Sequence, residues 1–533
     1  MPQYVIDKKD FLKGLSLSEE LGGFWRDMQG IDVYRTPGVL RPAVILGSVY
    51  SESSSPALTT PITQLIPTNV DGSIQAVIAL SNAHAVRIRL NAADSENVAT
   101  TVVFSGANAA DKLGAAIYRL GSASSNRQAL FYSLDTDIGM YDFSLAFGTN
   151  GNWDDNFMST IPASGAAIGS ERFRAMYHHK RHNILYWNDG NEVDKFDALT
   201  GVNGTLTQSA LDLPVEWEIR DFAQLRDYLA ILAVNPPTGG SDDQFIQVNS
   251  KVFFWDGISD SWNYETPLIH DHIVRLLNTE GGLFGVGKGD GISYYQFELE
   301  QSRRIFNWLG TGSAIDITAG RRDGNDLASY GGITAAGNQI LLLGKDGNNA
   351  HVLSLSNRFN LKQIVLNKLY YLKTAAGTID LGDIVAVSPT KIYASIHDDN
   401  GAGADQYRVV RFSSGNSSET VARGDTVELS NYFERTPGRK KRINYIEFYT
   451  DELASADVLE IYKEIDYDAT WTRLDGAGSA GAENSIRESD FSGENRTTLK
   501  FTRTDPFRFL RLRFDFTAGN IKVRRIVVDF DYV

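Results

Sequence analysis

Val252-Phe253-Phe254-Trp255-Asp256-Gly257 sets the terms on which the rest of this chain is read. An apolar, aromatic run ends abruptly in Asp-Gly. The same order occurs earlier, in Ile184-Leu185-Tyr186-Trp187-Asn188-Asp189-Gly190. It returns in Leu283-Phe284-Gly285-Val286, followed by Asp290-Gly291 and Tyr294-Tyr295, and in Ile340-Leu341-Leu342-Leu343, followed by Asp346-Gly347 and Val352-Leu353. A last instance is Ile392-Tyr393-Ala394, then Asp399-Asn400-Gly401 and Tyr407-Arg408-Val409-Val410. Asp-Gly between two apolar strands is the strongest short-range hairpin signal, because both turn positions need φ > 0. From Asp to Asp the instances lie 67, 34, 56 and 53 residues apart.

Blade repeats of β-propellers run to about 40 to 50 residues. The irregular spacing therefore predicts an all-β fold built on a degenerate β-propeller with insertions. Segments 76–90 with 99–104, and 115–120 with 129–134, supply earlier hairpins. The expected count is about five to seven blades. Unrelated hairpins in a sandwich are the competing reading. Asp256 to Trp262 is similar to a kelch-type turn, and Asp197-Ala198-Leu199-Thr200-Gly201 to the turn of quinoprotein-type blades. One segment alone reads as helical, residues 11–28, and Gly14 and Gly22-Gly23 interrupt it.

From Thr426 onward the pattern changes to strict alternation. Leu510, Leu512, Phe514 and Phe516 share one face of a strand, and Arg511, Arg513 and Asp515 the other. Ile526, Val528, Phe530 and Tyr532 repeat this at the end of the chain, and residues 443–449 and 458–462 add two more strands. Period two with one polar face predicts an antiparallel β-sandwich. The expected domains are an N-terminal arm (1–40), a propeller (41–424) and a C-terminal sandwich (425–533). Residues 476–493, rich in Gly, Ala, Ser and Glu, read as a long loop.

Composition narrows the chemistry. The 533 residues include 51 Lys plus Arg and 66 Asp plus Glu, a net charge of −15, and no cysteine. Disulfides, thiolate metal sites and thiol nucleophiles are excluded. No apolar run approaches the roughly 20 residues that span a bilayer, and no signal-peptide pattern opens the chain. Residues 425–533 carry 17 basic and 20 acidic side chains; residues 1–424 carry 34 and 46. The acid is concentrated in the propeller region. An acidic lumen repels DNA phosphates rather than holding them, while the plainer reading is solubility.

Asp10-Phe11-Leu12-Lys13-Gly14-Leu15, Gly22-Gly23-Phe24-Trp25 and the run from Gly30 to Leu40 with its Pro37-Gly38 turn resemble the opening of tail-associated virion proteins of tailed bacteriophages. Residues 442–448 and 458–462, with Trp471 and Phe509-Leu510-Arg511-Leu512, are similar to the small β-sandwich attached to such proteins. The resemblance implies a structural nozzle- or hub-type subunit of the tail, made in the host cytoplasm and carried in the virion. It implies about six copies in a symmetric ring through which DNA passes, beside adaptor, portal-proximal or fibre proteins. It implies no catalytic residue and no cofactor.

Candidate sites are few. Arg439-Lys440-Lys441-Arg442, with Arg435 nearby, is the one dense basic run, read as a solvated strand start, a subunit interface or a phosphate contact. Trp187, Trp255 and Trp262, with Trp153, would stack on sugars if this were a receptor- or glycan-binding tail tip; the alternative is that they fill blade cores. His178-His179 with His182, and His270 with His272, are the histidine clusters, and the second pair shares a strand face that suits a metal. Asp398, Asp399, Asn400 and Asp405 read as a capped turn or a Ca²⁺ loop without EF-hand spacing, and Asp135 and Asp137 are equally ambiguous. No nucleophile elbow, P-loop, dinucleotide fingerprint or zincin helix occurs, so the chain is not expected to be an enzyme. A propeller glycosidase survives as the enzyme alternative, because paired carboxylates are a property of the fold. The Ser-x-Asp-x-Gly-x-x-Trp box of sialidases is missing.

Overall fold

The computed structural model describes 41 strands and some of the turns between them; its longest continuous stretches are 174–198, 204–235 and 249–268. The larger segments outside the described residues are 7–24, 51–61, 104–113, 143–152, 158–173, 236–248, 317–331, 357–365, 413–425, 430–438, 474–484 and 488–495. The described residues contain strands and no α-helix. Of the expected helix, residues 25–28 lie in the strand Trp25–Gln29 and the greater part lies outside the described residues.

Among the described residues, seven sets of antiparallel strands follow one another along the chain, the sixth being part of an 11-stranded sheet. Sheet one holds Ile62–Asp71, Ile74–Ser81, His84–Leu90 and Glu96–Val103. Sheet two holds Ala115–Arg119, Gln128–Ser133, Ile138–Asp142 and Trp153–Asp154. Sheet three holds Met176–His179, Ile184–Asp189, Glu192–Asp197 and Thr205–Asp212, and sheet four Glu218–Leu225, Tyr228–Asn235, Asn249–Trp255 and Tyr264–Pro267. Sheet five holds Ile273–Thr279, Gly282–Gly287, Gly291–Gln296 and Gln301–Asn307. Sheet six holds Ile333–Ala336, Gln339–Asp346, Asn349–Ser356 and Leu366–Leu372, with the short Ile315–Asp316 also on Gln339–Asp346. Sheet seven holds Thr378–Ser388, Lys391–Asp399 and Gln406–Phe412. Its fourth strand comes from the front of the chain, Ser48–Tyr50, paired with Val409 and Val410. The first strand of each sheet touches the first strand of the next, and that of sheet seven touches that of sheet one. The sheets thus form a closed, propeller-like ring, and the fold is all-β.

The unbroken apolar runs now have a cause. Each sheet is covered on both faces by its neighbours in the ring, so successive residues bury in opposite directions. Phe253 and Trp255 enter the core shared with sheet three, while Val252 and Phe254 enter the core shared with sheet five. Leu185 and Trp187 face sheet two, and Tyr186 faces sheet four. Cores of the same kind join sheets one and two, six and seven, and seven and one.

The uneven spacing of Asp-Gly is also explained. Asp189, Asp346 and Asp399 end the second strands of their sheets, and Asp290, outside the described residues, falls in sequence between the second and third strands of sheet five. Asp256 lies instead between the third and fourth strands of sheet four. With Asp256 set aside, Asp189 and Asp290 are two sheets and 101 residues apart, close to twice the later steps of 56 and 53. The turn after Asp189 is Gly190-Asn191, and there only Gly190 has positive φ, 64°. This differs from the expected Asp-Gly turn with two such residues.

A repeated contact fastens the ring. Gln64 on the first strand of sheet one accepts from the Ala115 amide of sheet two at 2.9 Å and donates to its carbonyl at 3.0 Å. The Tyr177 hydroxyl of sheet three accepts from Gln224 of sheet four, and the Asp221 carboxylate of sheet four from Leu276 of sheet five. Thr334 of sheet six accepts from Ala386 of sheet seven. Asp383 of sheet seven closes the circle, accepting from the Leu65 amide of sheet one at 2.9 Å. Bulges sit beside three of these acceptors, between Ile62 and Gln64, Ile219 and Asp221, and Leu381 and Ile384. A bulge re-aims a side chain that would otherwise point along the pleat. At Gly382 a Cβ would collide with the Ser395 hydroxyl and the Ile62 carbonyl, so the bulge needs glycine there.

The sandwich takes both chain ends. One sheet runs Gln3–Ile6, Val523–Tyr532, Lys441–Thr450, Arg496–Lys500; the other includes Trp25–Gln29, Thr426–Leu429, Leu510–Ala518, Val458–Ile465 and Thr472–Arg473. Its core joins Ile6, Ile31 and Leu40 to Ile446, Phe448, Leu459, Leu512, Phe514, Ile526 and Val528. Of residues 1–40, Gln3–Ile6 and Trp25–Gln29 pair with strands of the sandwich, and Ile6, Ile31 and Leu40 complete its core. Trp25–Gln29 also meets the last strand of sheet six at Gln29 and Lys368, so the sandwich sheet continues from the ring. The alternation places Leu510, Leu512, Phe514 and Phe516 in the core as expected, but Tyr532 is exposed.

Asp383→Ala leaves two buried amides, Leu65 and Ile384, without their carboxylate acceptor. Hydrogen bonds to charged groups contribute about 1.5 to 3 kcal/mol each, so urea unfolding should show a loss of about 3 kcal/mol, and a smaller one for Asp383→Asn. A loss within about 0.5 kcal/mol, as for a surface change, would remove Asp383 from the closure.

Candidate functional site

A close group of titratable side chains lies where the first turn of sheet three meets that of sheet four. His179 ends the first strand of sheet three, and His182 sits in the turn before Ile184. Their rings stack with centroids 3.6 Å apart. The His182 amide donates to His179 Nδ1 at 3.0 Å, so His179 carries its proton on Nε2 and donates it to the Tyr228 carbonyl at 3.2 Å. His182 Nε2 donates to the Asp227 carbonyl at 2.6 Å, which leaves Nδ1 to accept from the Tyr186 hydroxyl at 3.0 Å. Both imidazoles are thus neutral and use both nitrogens. Burial, then the neighbouring His182, pushes His179 down to about 4; burial also lowers His182. Burial and the Asp256 charge push the Tyr186 phenol up.

Asp256 organises the loop that covers this group. Its carboxylate accepts from the Ile258 and Ser259 amides, the Ser259 hydroxyl and the Asn263 amide group, at 2.7 to 3.2 Å. Burial opposes the charge, but these bonds outweigh it and hold the carboxyl well below the usual range. Gly257, at φ 78°, lies against the Tyr186 hydroxyl, where a Cβ would stand 2.6 Å away. Lys195 donates to the Gly257 carbonyl at 3.1 Å and sits 5.5 Å from the Trp255 ring centre. Arg181 and Asp227 form an exposed ion pair across the two turns. Both ring nitrogens of His179 and His182 and the Tyr186 hydroxyl thus serve another backbone or side chain, whereas His178, beside them on the strand, packs edge-on against Tyr118 with its Nε2 buried and unbonded. The arrangement of His179, His182 and Tyr186 joins two sheets.

Trp187 and Trp255 are buried to 1% and 0% exposure, and each indole N–H has its acceptor, Asp194 and the Ser259 carbonyl. Their faces are covered by the cores on either side, so neither can stack on a sugar. Trp262 is partly buried against Phe253. Asp194, which receives Trp187, is pushed up to about 6 by burial. Trp153 pairs opposite Tyr141 at the outer strand of sheet two.

The basic run splits. Lys441 is buried, with its ammonium 3.4 Å from the Arg508 carbonyl. Arg439, Lys440 and Arg442 are exposed, and Arg439 lies 5.8 Å from the Tyr532 ring centre. The Lys440 carbonyl accepts from the Val533 amide, which ties the last strand to the start of Lys441–Thr450. Arg435, His270, His272, Asn400, Asp405 and Asp135 lie outside the described residues, as do the side chains of Asp398 and Asp399. Asp137 accepts from the adjacent Ile138 amide, as a capped turn does. No group of three or more His, Asp or Glu able to hold a metal occurs among the described residues.

A different polar group was not expected. Arg275 on the first strand of sheet five lies 3.5 Å from Asp221 of sheet four, and its charge also reaches Asp383 of sheet seven. Burial raises both carboxyls and Arg275 lowers them. The three side chains are only 4 to 17% exposed, so first strands of three sheets fill this level of the ring's interior. No local pattern announces them; their strands carry other polar residues, such as Glu218, Arg220 and Gln224 beside Asp221 and Asp380 before Asp383.

No model of a known protein family matches the chain, and no curated protein matches it. Solved structures do. A chain of the mitotic checkpoint complex aligns over 70% of this chain and 93% of its own, at 11% identity and a TM-score of 0.38. The Pan2 WD40 domain of Neurospora crassa aligns over 71% and 98%, at 8% and 0.40. A neuraminidase-like protein from A/bat/Guatemala/164/2009 aligns over 58% and 91%, at 8% and 0.32. Likeness at this level assigns no activity to this chain.

Two outcomes follow from the site. His179 has a lowered folded value, so it stabilises above about 6.5 and that contribution is lost as pH falls through about 4. Thermal unfolding from pH 7.5 to 4 should show the wild type losing more than His179→Asn; parallel curves would contradict this. Trp255→Ala should cost about 3 to 5 kcal/mol in urea unfolding, the range for emptying a core indole site. A loss under about 0.5 kcal/mol would place the ring outside the core.

Proposed function

We propose that the chain is a structural subunit of a tailed-bacteriophage tail, a nozzle- or hub-type component whose work is mechanical. The observation that carries this reading is where the charged and hydrogen-bonding groups are spent. Asp221, Asp383, Gln64, His179 and His182 fasten sheet to sheet. Such a ring is a rigid platform rather than a reactive cleft. The sandwich, built from both chain ends, anchors that platform and presents Arg439, Lys440 and Arg442 to neighbours. On a chain of net charge −15, exposed cations suit contact with an acidic surface of the next copy or an adaptor protein.

The reading fixes where DNA would travel. Asp221, Arg275 and Asp383 fill part of each ring's interior, so the conduit runs between about six copies and not through each single ring. The acid excess of residues 1–424 lines or flanks that conduit and lets DNA slide without binding.

Electron microscopy of virions carrying a labelled copy tests this. The account expects label on the tail, below the head, in ring symmetry. Label on the capsid shell, or virions without label, overturns it.

A further inference from the structure

We propose that the outward face of the sandwich at Glu460, Tyr462, Trp471, Arg473, Arg513 and Asp515 binds a neutral hexopyranose chain. This does not depend on the tail reading and would hold for any role of the ring.

The strands dictate the face. Leu459 and Ile461 point into the core, so Glu460 and Tyr462 point out. Phe514 and Phe516 point in, so Arg513 and Asp515 point out. Register sets Glu460 opposite Asp515, Tyr462 opposite Arg513, and Arg473 opposite Tyr462 on the other side. Three strands therefore bring two aromatic rings, two guanidinium groups and two carboxylates to one surface.

The rings are held in place. The Arg513 guanidinium carbon lies 4.4 Å from the Tyr462 ring centre and 5.1 Å from that of Trp471. Its fork is locked on Asp515, with Nε to Oδ1 at 3.0 Å and Nη2 to Oδ2 at 3.1 Å. The Tyr462 hydroxyl donates to Glu460 Oε2 at 3.1 Å, and Arg473 donates to Glu460 Oε1 at 2.8 Å. A layer fixed this way loses little freedom on binding, which is what preorganisation contributes to affinity.

Exposure and charge identify the ligand. Trp471 and Tyr462 are half-buried, and the Arg473 side chain is 35% exposed, unlike the enclosed Trp187 and Trp255. One end of the face is closed: Glu464 and Arg511 form a 2.9 Å ion pair with 5 and 9% exposure. The open end has no net charge, since Arg473 is matched by Glu460 and Arg513 by Asp515. A polyanion gains nothing there from long-range attraction. An uncharged sugar gains on both counts. Arg513 covers one face of each ring; the C–H face of the sugar rests against the ring surface that Arg513 leaves uncovered, and its hydroxyls donate to the carboxylates and accept from the guanidinium groups.

Isothermal titration of the full chain with cellohexaose and with chitohexaose tests this, with dextran sulfate as the polyanion. At least one hexaose should bind, and Trp471→Ala should weaken it tenfold or more with the far-UV spectrum and unfolding midpoint unchanged. Should Trp471→Ala fail to fold, Trp471→Phe, which keeps a smaller ring beside Arg513, should weaken binding severalfold. Binding of neither hexaose, binding of dextran sulfate alone, or a hexaose affinity that either Trp471 variant leaves unchanged overturns the proposal.

Discussion

The ring depends on a side chain of one sheet reaching the free edge of the next. The first strand of each sheet pairs on one side only, so its other edge presents backbone groups inside the ring, away from bulk water. Buried backbone N–H groups need partners. Gln64, Tyr177, Asp221, Thr334 and Asp383 provide them across five of the sheet-to-sheet junctions. The apolar cores between sheets supply area without direction. These acceptors add direction, because each takes one particular amide of the neighbouring strand. Asp383 joins residues 318 positions apart, and together with Ser48–Tyr50 it turns a row of sheets into a circle.

The same need accounts for charge in an interior that burial would otherwise keep neutral. Asp221 and Asp383 are raised by burial, yet each accepts a backbone amide and shares Arg275. A carboxylate accepts more strongly than an amide or hydroxyl, which offsets part of its desolvation. The histidine pair solves a related problem at one end of sheets three and four. There both imidazoles are held neutral by burial and join two turns.

Much of this was legible in sequence, for reasons that can be located. Val252 to Trp255 and Ile184 to Trp187 read as strands because both faces of each sheet are covered, which forces unbroken apolar runs. The C-terminal strands read through alternation, because one face of each looks outward. Asp256 misled: it shares the Asp-Gly signature but closes a different hairpin, and so it disguised a repeat of about 50 residues. Gln64 and Asp383 were illegible, since no local pattern marks a residue whose partner lies 51 or 318 positions away. Trp187 and Trp255 drew attention as indoles, but composition cannot tell a core ring from a displayed one. Arg513 and Asp515 were placed outward correctly; that Tyr462 and Trp471 join them depends on register between strands, which sequence does not fix.

Hydrogen exchange on the intact chain tests the role of the cross-sheet acceptors most directly. The amides of Leu65, Ala115, Leu276 and Ala386 should exchange only with global unfolding, and Asp383→Ala should release Leu65 while Ala115 stays protected. Rapid exchange of these amides in the wild type, or an unchanged Leu65 in the variant, would show that the ring is held by its apolar cores alone.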